Sequence, residues 1–316
     1  MSGSKAFVPG YDRAYIKRVV RLMIRVKNLT KEYGGRQGVF DLSFEVEDGE
    51  VFGLLGPEGA GKTTVIRQLM GFAQASRGRC FINGKSCHTR QSEIMGFTGY
   101  LPEETALPGN MTGLSFLRFM AEYKGIKSIE RALQIAERFE LDLDTQIRKM
   151  SRASRKKTAI ACALMHDPAV LLLDEPTGGL DAPMQGRLND LILEEKERGK
   201  TIFFTSHIFE EVERTCDRVG MIKRGVLVNV DDIAGLRAAK RKSYIVNFAT
   251  DQEALNFVKE DFEILNISGR QVTVRLSGEM APLVKALGNY QVVGLETMSQ
   301  SLEDVFIHFY GGDAGA

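Results

Sequence analysis

Residues Gly56-Pro57-Glu58-Gly59-Ala60-Gly61-Lys62-Thr63-Thr64 match the spacing G-x-x-x-x-G-K-[ST], and no other stretch of the chain restricts its possible folds so tightly. Glycines let the backbone turn sharply and aim successive N–H groups at phosphate oxygens, and a helix starting beside the lysine adds its positive N-terminal end. The flanks suit that geometry. Val51-Phe52-Gly53-Leu54-Leu55 reads as a buried strand, and Val65, Leu69 and Met70 give an apolar face to a helix from Thr63 through Gly71. The segment therefore implies a cradle for a nucleoside triphosphate, with Lys62 bridging the terminal phosphates and the Thr63 hydroxyl holding Mg²⁺.

A second apolar strand, Ala169-Val170-Leu171-Leu172-Leu173, ends in Asp174-Glu175. A strand buried in the sheet can deliver such an acid to Mg²⁺ beside the phosphate loop, which is the role expected for Asp174. Glu175, one residue later and pointing elsewhere, is placed to polarise an attacking water or take its proton. Alone, an apolar run closed by Asp-Glu is equally an ordinary strand end. His207 closes a third apolar run, Phe203-Phe204-Thr205-Ser206-His207, from which an imidazole can reach a terminal phosphate and the water.

At 316 residues the chain has room for one large domain and a smaller one. Its 42 Lys and Arg balance 41 Asp and Glu, so no global charge argues for nucleic acid or an anionic membrane as partner, and no nucleic acid is expected. Cys80, Cys87, Cys162 and Cys216 lack metal-site spacing and the four histidines are scattered, which points to reduced, buried thiols. No apolar run reaches the roughly 18 residues of a spanning helix, so membrane association is expected to go through another protein.

The organisation reads as follows. Residues 1–22 form a leader in which Ile16, Val19, Val20 and Met23 fall at helical spacing among Arg13, Lys17, Arg18 and Arg21; this is either a basic amphipathic segment or a poorly ordered extension before a true start at Met23. Residues 23–238 form an α/β nucleotide-binding core with strands alternating with crossover helices, interrupted by a helical insert over about 104–165. Phe40, Leu42, Phe44 and Val46 alternate with polar residues as one face of a half-buried strand, and Met221 to Val228 is a hairpin turning near Arg224-Gly225. After Lys240-Arg241-Lys242, residues 243–316 read β-α-β-β-α-β, an α+β (ferredoxin-like) accessory domain. A last amphipathic helix with Leu302, Val305, Phe306 and Phe309 on one face follows.

Asp174-Glu175-Pro176-Thr177, then Gly179-Leu180-Asp181, then Ser206-His207, following the phosphate loop in this order, resemble the ATP-binding cassette (ABC) family over roughly Met23 to Gly235. The resemblance implies a P-loop ATPase fold with a helical signature subdomain, and ATP and Mg²⁺ as cofactors. It implies that Tyr33 stacks on adenine, that Glu103 lies on the loop between core and insert within reach of Mg²⁺, and that Asp181 lies on the loop crossing a dimer interface. Glu at 103, where most relatives carry Gln, and the ending Ser301-Leu302-Glu303-Asp304-Val305-Phe306 are similar to the drug and antibiotic exporter branch.

The chain departs from the family at the signature, where L-S-G-G-Q is replaced by Met150-Ser151-Arg152-Ala153-Ser154. Ser151 is expected to meet the partner's ATP, Arg152 to add positive charge there, and the Ala153 methyl to lie near the phosphate. Glu58 also replaces the usual Asn, placing a negative charge near the phosphates. The implied protein is a cytoplasmic ATP-hydrolysing subunit working as a homodimer beneath separately encoded membrane permease subunits, peripheral on the inner face of the cell membrane, and an exporter. The alternatives are a soluble, non-transport ABC ATPase and a binding-only nucleotide sensor with a degenerate signature.

Overall fold

The computed structural model describes residues 21–35, 37–239, 242–276 and 280–298. The leader's Ile16, Val19 and Val20 and the closing apolar face from Leu302 to Phe309 lie outside them.

The nucleotide-binding core begins with two long antiparallel strands, β1 (Leu22–Gly34) and β2 (Gln37–Glu47), followed by β3 (Val51–Leu55), α1 (Lys62–Leu69), β4 (Arg77–Ile82), the short β5 (Lys85–Ser86), α2 (Gln91–Phe97) and β6 (Thr98–Leu101). Three helices come next, α3 (Gly113–Tyr123), α4 (Glu130–Arg138) and α5 (Arg152–Leu164), with a 3₁₀ turn at Ile147–Lys149. The chain then returns through β7 (Val170–Asp174), α6 (Ala182–Glu197), β8 (Thr201–Ser206), α7 (Phe209–Thr215), β9 (Arg218–Lys223), β10 (Val226–Asp232) and α8 (Ile233–Ala239). The strands pair as one sheet in the order β2-β1-β4-β5 and another in the order β10-β9-β3-β8-β7-β6, parallel except for β10.

Every residue of β3, β7 and β8 is buried, as expected of parallel strands covered on both faces. The period of two sends alternate side chains to different cores. Val51, Leu55, Leu171, Leu173, Ile202 and Phe204 pack with the helical insert, α6 and α7, whereas Phe52, Leu54, Leu172 and Phe203 pack with α1 and the antiparallel sheet. Phe44 of β2 stacks on Phe52 and Phe203, with ring centroids 5.3 and 5.7 Å away, joining the two sheets.

Two local expectations are corrected. Met23 belongs to β1, where it is buried, so it does not extend a helical face begun at Ile16; β2 and β4 flank this strand and pair its main-chain groups. In β2 the alternation holds for Leu42, Phe44 and Val46 but breaks at Asp41, whose φ of 52° and N–H bond to Thr30 Oγ1 at 3.0 Å mark a bulge. Val39 is therefore the buried residue and Phe40 is turned toward the nucleotide cleft.

Residues 242–298 build a separate four-stranded antiparallel sheet from β11 (Lys242–Phe248), α9 (Asp251–Phe257), β12 (Glu263–Ser268), β13 (Gln271–Leu276), α10 (Ala281–Leu287) and β14 (Val292–Met298). The order β14-β11-β13-β12 is that of a split β-α-β pair. Phe248, Phe257, Val272, Val274 and Leu283 form its own core.

Candidate nucleotide-binding site

The phosphate loop lies between β3 and α1. A Cβ on Gly56 would sit 2.3 Å from the Ile222 carbonyl oxygen, and Gly61 has a φ of 106° with Val39 Cγ1 2.6 Å from its Cβ position, so neither tolerates a side chain. Lys62 is buried and donates to the carbonyls of Gly56 at 2.7 Å and Pro57 at 3.0 Å. Its third contact is Glu175 Oε1 at 3.0 Å. Pro57 has no N–H to offer, and the Ala60 methyl is buried in the core beneath the loop, so both serve the cradle through main-chain shape alone.

Asp174 ends β7 opposite Thr205 of β8. Its Oδ1 accepts from Thr205 Oγ1 at 2.7 Å and lies 3.3 Å from Thr63 Oγ1, while its buried Oδ2 has no hydrogen-bond partner among the described residues. Burial raises its pKa, against the pull of the Thr205 and Thr63 hydroxyls. Glu103 Oε2 is also 3.3 Å from Thr63 Oγ1, and the single Thr63 proton can be given to only one of these carboxylates. Thr63, Asp174 and Glu103 thus form an oxygen set with an orphaned carboxylate oxygen, the donor chemistry that fits Mg²⁺.

Glu175 adopts a left-handed backbone, φ 44°, a strained conformation for a residue of this size. Its N–H donates to Thr205 Oγ1 at 3.0 Å, so one hydroxyl fixes both neighbouring acids. The Glu175 side chain leaves the Asp174 side and spans Lys62 and His207, with Oε2 2.8 Å from His207 Nδ1. Behind them Glu211 of α7 accepts from Thr177 and from Ser206 at 2.8 Å, and burial raises its pKa.

Phe40, Tyr33, Glu58, Gly59 and Thr64 line the same cleft as Lys62, Thr63, Glu103 and Glu175, with a volume of about 1160 Å³. Tyr33 is 51% exposed at its rim, with Lys31 Nζ 5.3 Å from its ring centroid.

Ser151 and Asp181 are not brought to this cleft. Ser151 caps α5, its Oγ accepting from the Ser154 N–H at 3.0 Å, and Asp181 caps α6 by accepting from the Met184 N–H at 3.0 Å. Ala153 is half-buried and packs against the core. The Arg152 stem lies over Gly179, with Nε 3.4 Å from that glycine's Cβ position.

Reading the sequence missed Thr205, Glu211 and Lys156. Lys156 is 2% exposed and hydrogen-bonds three main-chain carbonyls; burial pulls it down to about 8 while Asp174, Glu103 and Glu175 act in the other direction. A carboxylate four residues past His207 was a visible signal for Glu211; nothing local marks the other two.

A model of the ABC transporter family matches residues 39–178. The ABC transporter ATP-binding protein YhcH of Bacillus subtilis (strain 168) is 30% identical over 92% of this chain and 97% of its own length. The bacitracin transport ATP-binding protein BcrA of Bacillus licheniformis is 32% identical over 92% of this chain and 98% of its own. Among solved structures, an ATP-binding subunit of an ABC transporter superposes with a TM-score of 0.63 at 28% identity, covering 68% of this chain and 92% of that one.

Proposed function

The chain belongs to the ABC transporter family as an ATP-binding subunit, and from that premise we propose that it is the ATPase of an exporter, working as a dimer beneath a separately encoded permease. The observation that carries this reading is the convergence of Lys62, Glu175 and His207 at one side of Thr63, Asp174 and Glu103.

Lys62 would leave the Gly56 and Pro57 carbonyls and Glu175 to neutralise the β- and γ-phosphates. Tyr33 would stack on the base. Thr63, Asp174 and Glu103 would hold Mg²⁺, which would supply positive charge for the phosphate oxygens. Glu175, released from Lys62 and oriented by His207, accepts the proton of the water that attacks the γ-phosphorus as the bond to the ADP oxygen breaks. Its strained backbone and the Thr205 bond hold the carboxylate against drift.

Ser151 and Asp181, away from their own chain's cleft, support the dimer: the start of α5, where Ser151 already caps the Ser154 N–H, would turn its remaining first-turn N–H groups to a partner's triphosphate. Among the described residues no helix is long and apolar enough to cross a membrane. Export is proposed from Glu103, the residue similar to the drug and antibiotic exporter branch, and the likeness to BcrA, a bacitracin transport protein, supports a transport role. A binding-only sensor draws on the altered signature, but the Glu175–His207 pair gives it a hydrolytic apparatus it would not need. Mg²⁺-dependent ATP hydrolysis by the chain with its co-expressed permease tests the reading; no turnover above that of Glu175→Gln would reject it.

A further inference from the structure

Lys156 sits one turn into α5, beyond the Ser151 cap, with its side chain almost wholly enclosed. Its Nζ lies 3.1 Å from the Pro102 carbonyl oxygen, 3.2 Å from that of Glu103 and 3.4 Å from that of Asp174. An ammonium has three protons, and here the three contacts fall on two other segments: the loop leaving β6 and the end of β7. A buried lysine so used is costly to keep, and its contacts within hydrogen-bond reach among the described residues are carbonyls, not carboxylates. The loop it grips is otherwise open, with Glu103 and Glu104 exposed and a cleft of about 220 Å³ separating it from Arg152 and Arg155.

We propose that Lys156 is a positioning residue of the ATPase reaction, tying the signature helix α5 to the main chain at Glu103 and Asp174, so that the insert's position decides whether Glu103 stands beside Thr63. The same helix offers Ser151 at its outer end. A shift of α5 on meeting a partner's nucleotide would therefore be passed through one side chain to the acids of its own site. The inference rests on Thr63, Asp174 and Glu103 forming the Mg²⁺ side of the site.

The test uses the full chain with its permease. Wild-type turnover establishes the ATPase reading by itself. Lys156→Met keeps the stem and burial but removes every donor; kcat is expected to fall about tenfold to a hundredfold, the loss that a misplaced group produces, and the Mg²⁺ dependence to move to higher concentration. ATP affinity measured in EDTA should stay within about twofold of wild type, a shift under 0.5 kcal/mol. Lys156→Arg, which restores charge and donors, should recover most of the turnover. Wild-type kcat and Mg²⁺ dependence in Lys156→Met would overturn the proposal, as would a loss of EDTA affinity and thermal stability in step with kcat, which marks a packing role. If Lys156→Met does not fold, Lys156→Leu, which also removes every donor and stays apolar, is read in the same way.

Discussion

Lys62 Nζ and Glu175 Oε1 lie 3.0 Å apart, with side chains only 6% and 10% exposed. In the proposed mechanism the two must part before Lys62 meets the phosphates and Glu175 the water, so the pair would act as a latch on the proposed base.

Glu175→Gln is expected to lower steady-state ATP turnover by about 10²- to 10⁴-fold, since the amide keeps the shape but cannot accept a proton. Nucleotide affinity should be kept or improved, because Lys62 no longer has to leave a carboxylate. Turnover near wild type with permease present would remove Glu175 from the base role.

The latch should also appear in the stability of the nucleotide-free chain. Lys62→Met strands a buried carboxylate, so its destabilisation should be relieved when Glu175→Gln is added, with a coupling energy of about 1–3 kcal/mol. Additive effects in urea unfolding would mean that the pair is not coupled.

Tyr33 faces the cleft from its rim, far in the chain from the acids. Tyr33→Ala should raise the dissociation constant for ATP about tenfold, or about 1.4 kcal/mol, with a smaller effect on maximal rate. An unchanged titration would exclude stacking.

His166 gives a pH prediction. Burial first, and then the Lys124 ammonium, push its pKa down from 6.5 to about 4, with Nε2 3.2 Å from Lys124 Nζ and its buried Nδ1 without a partner among the described residues. The unfolded chain binds this proton more readily than the folded one, so its contribution is fully present above pH 6.5 and is lost as pH falls toward 4. His166→Gln should flatten that part of the urea-midpoint profile. Parallel profiles for the two proteins would show that His166 does not report this burial.

At the altered signature the two substitutions should behave differently. Ala153→Gly removes a core-facing methyl from a helix and should cost about 1 kcal/mol of stability without aiding dimerisation. Arg152→Gly in a Glu175→Gln background should weaken ATP-driven dimerisation at low salt, and this effect should shrink as salt rises. Unchanged or stronger dimerisation would leave Arg152 as a solvated charge lying over Gly179.

The order of the motifs in the chain was sufficient for the core fold, because a phosphate loop between a buried strand and a helix, and acids at the ends of apolar strands, are local patterns with few solutions. The strands around Leu172 and Phe203, the Arg224-Gly225 turn and the β-α-β-β-α-β order were legible for the same reason. The phase break at Asp41 was not, since a bulge answers to a hydrogen bond from Thr30 across the sheet. Nor was the burial of Ala153, which depends on the helices packed around α5. Thr205 reaches Asp174 only through the register of β7 with β8, and Lys156 finds its carbonyls only because α5 lies across the ends of β6 and β7. Which chemical groups the site contains can be read from the order of residues along the chain; which of them touch follows from the fold, because hydrogen bonds between residues 31 or 54 positions apart depend on strand register and helix packing that no local pattern encodes.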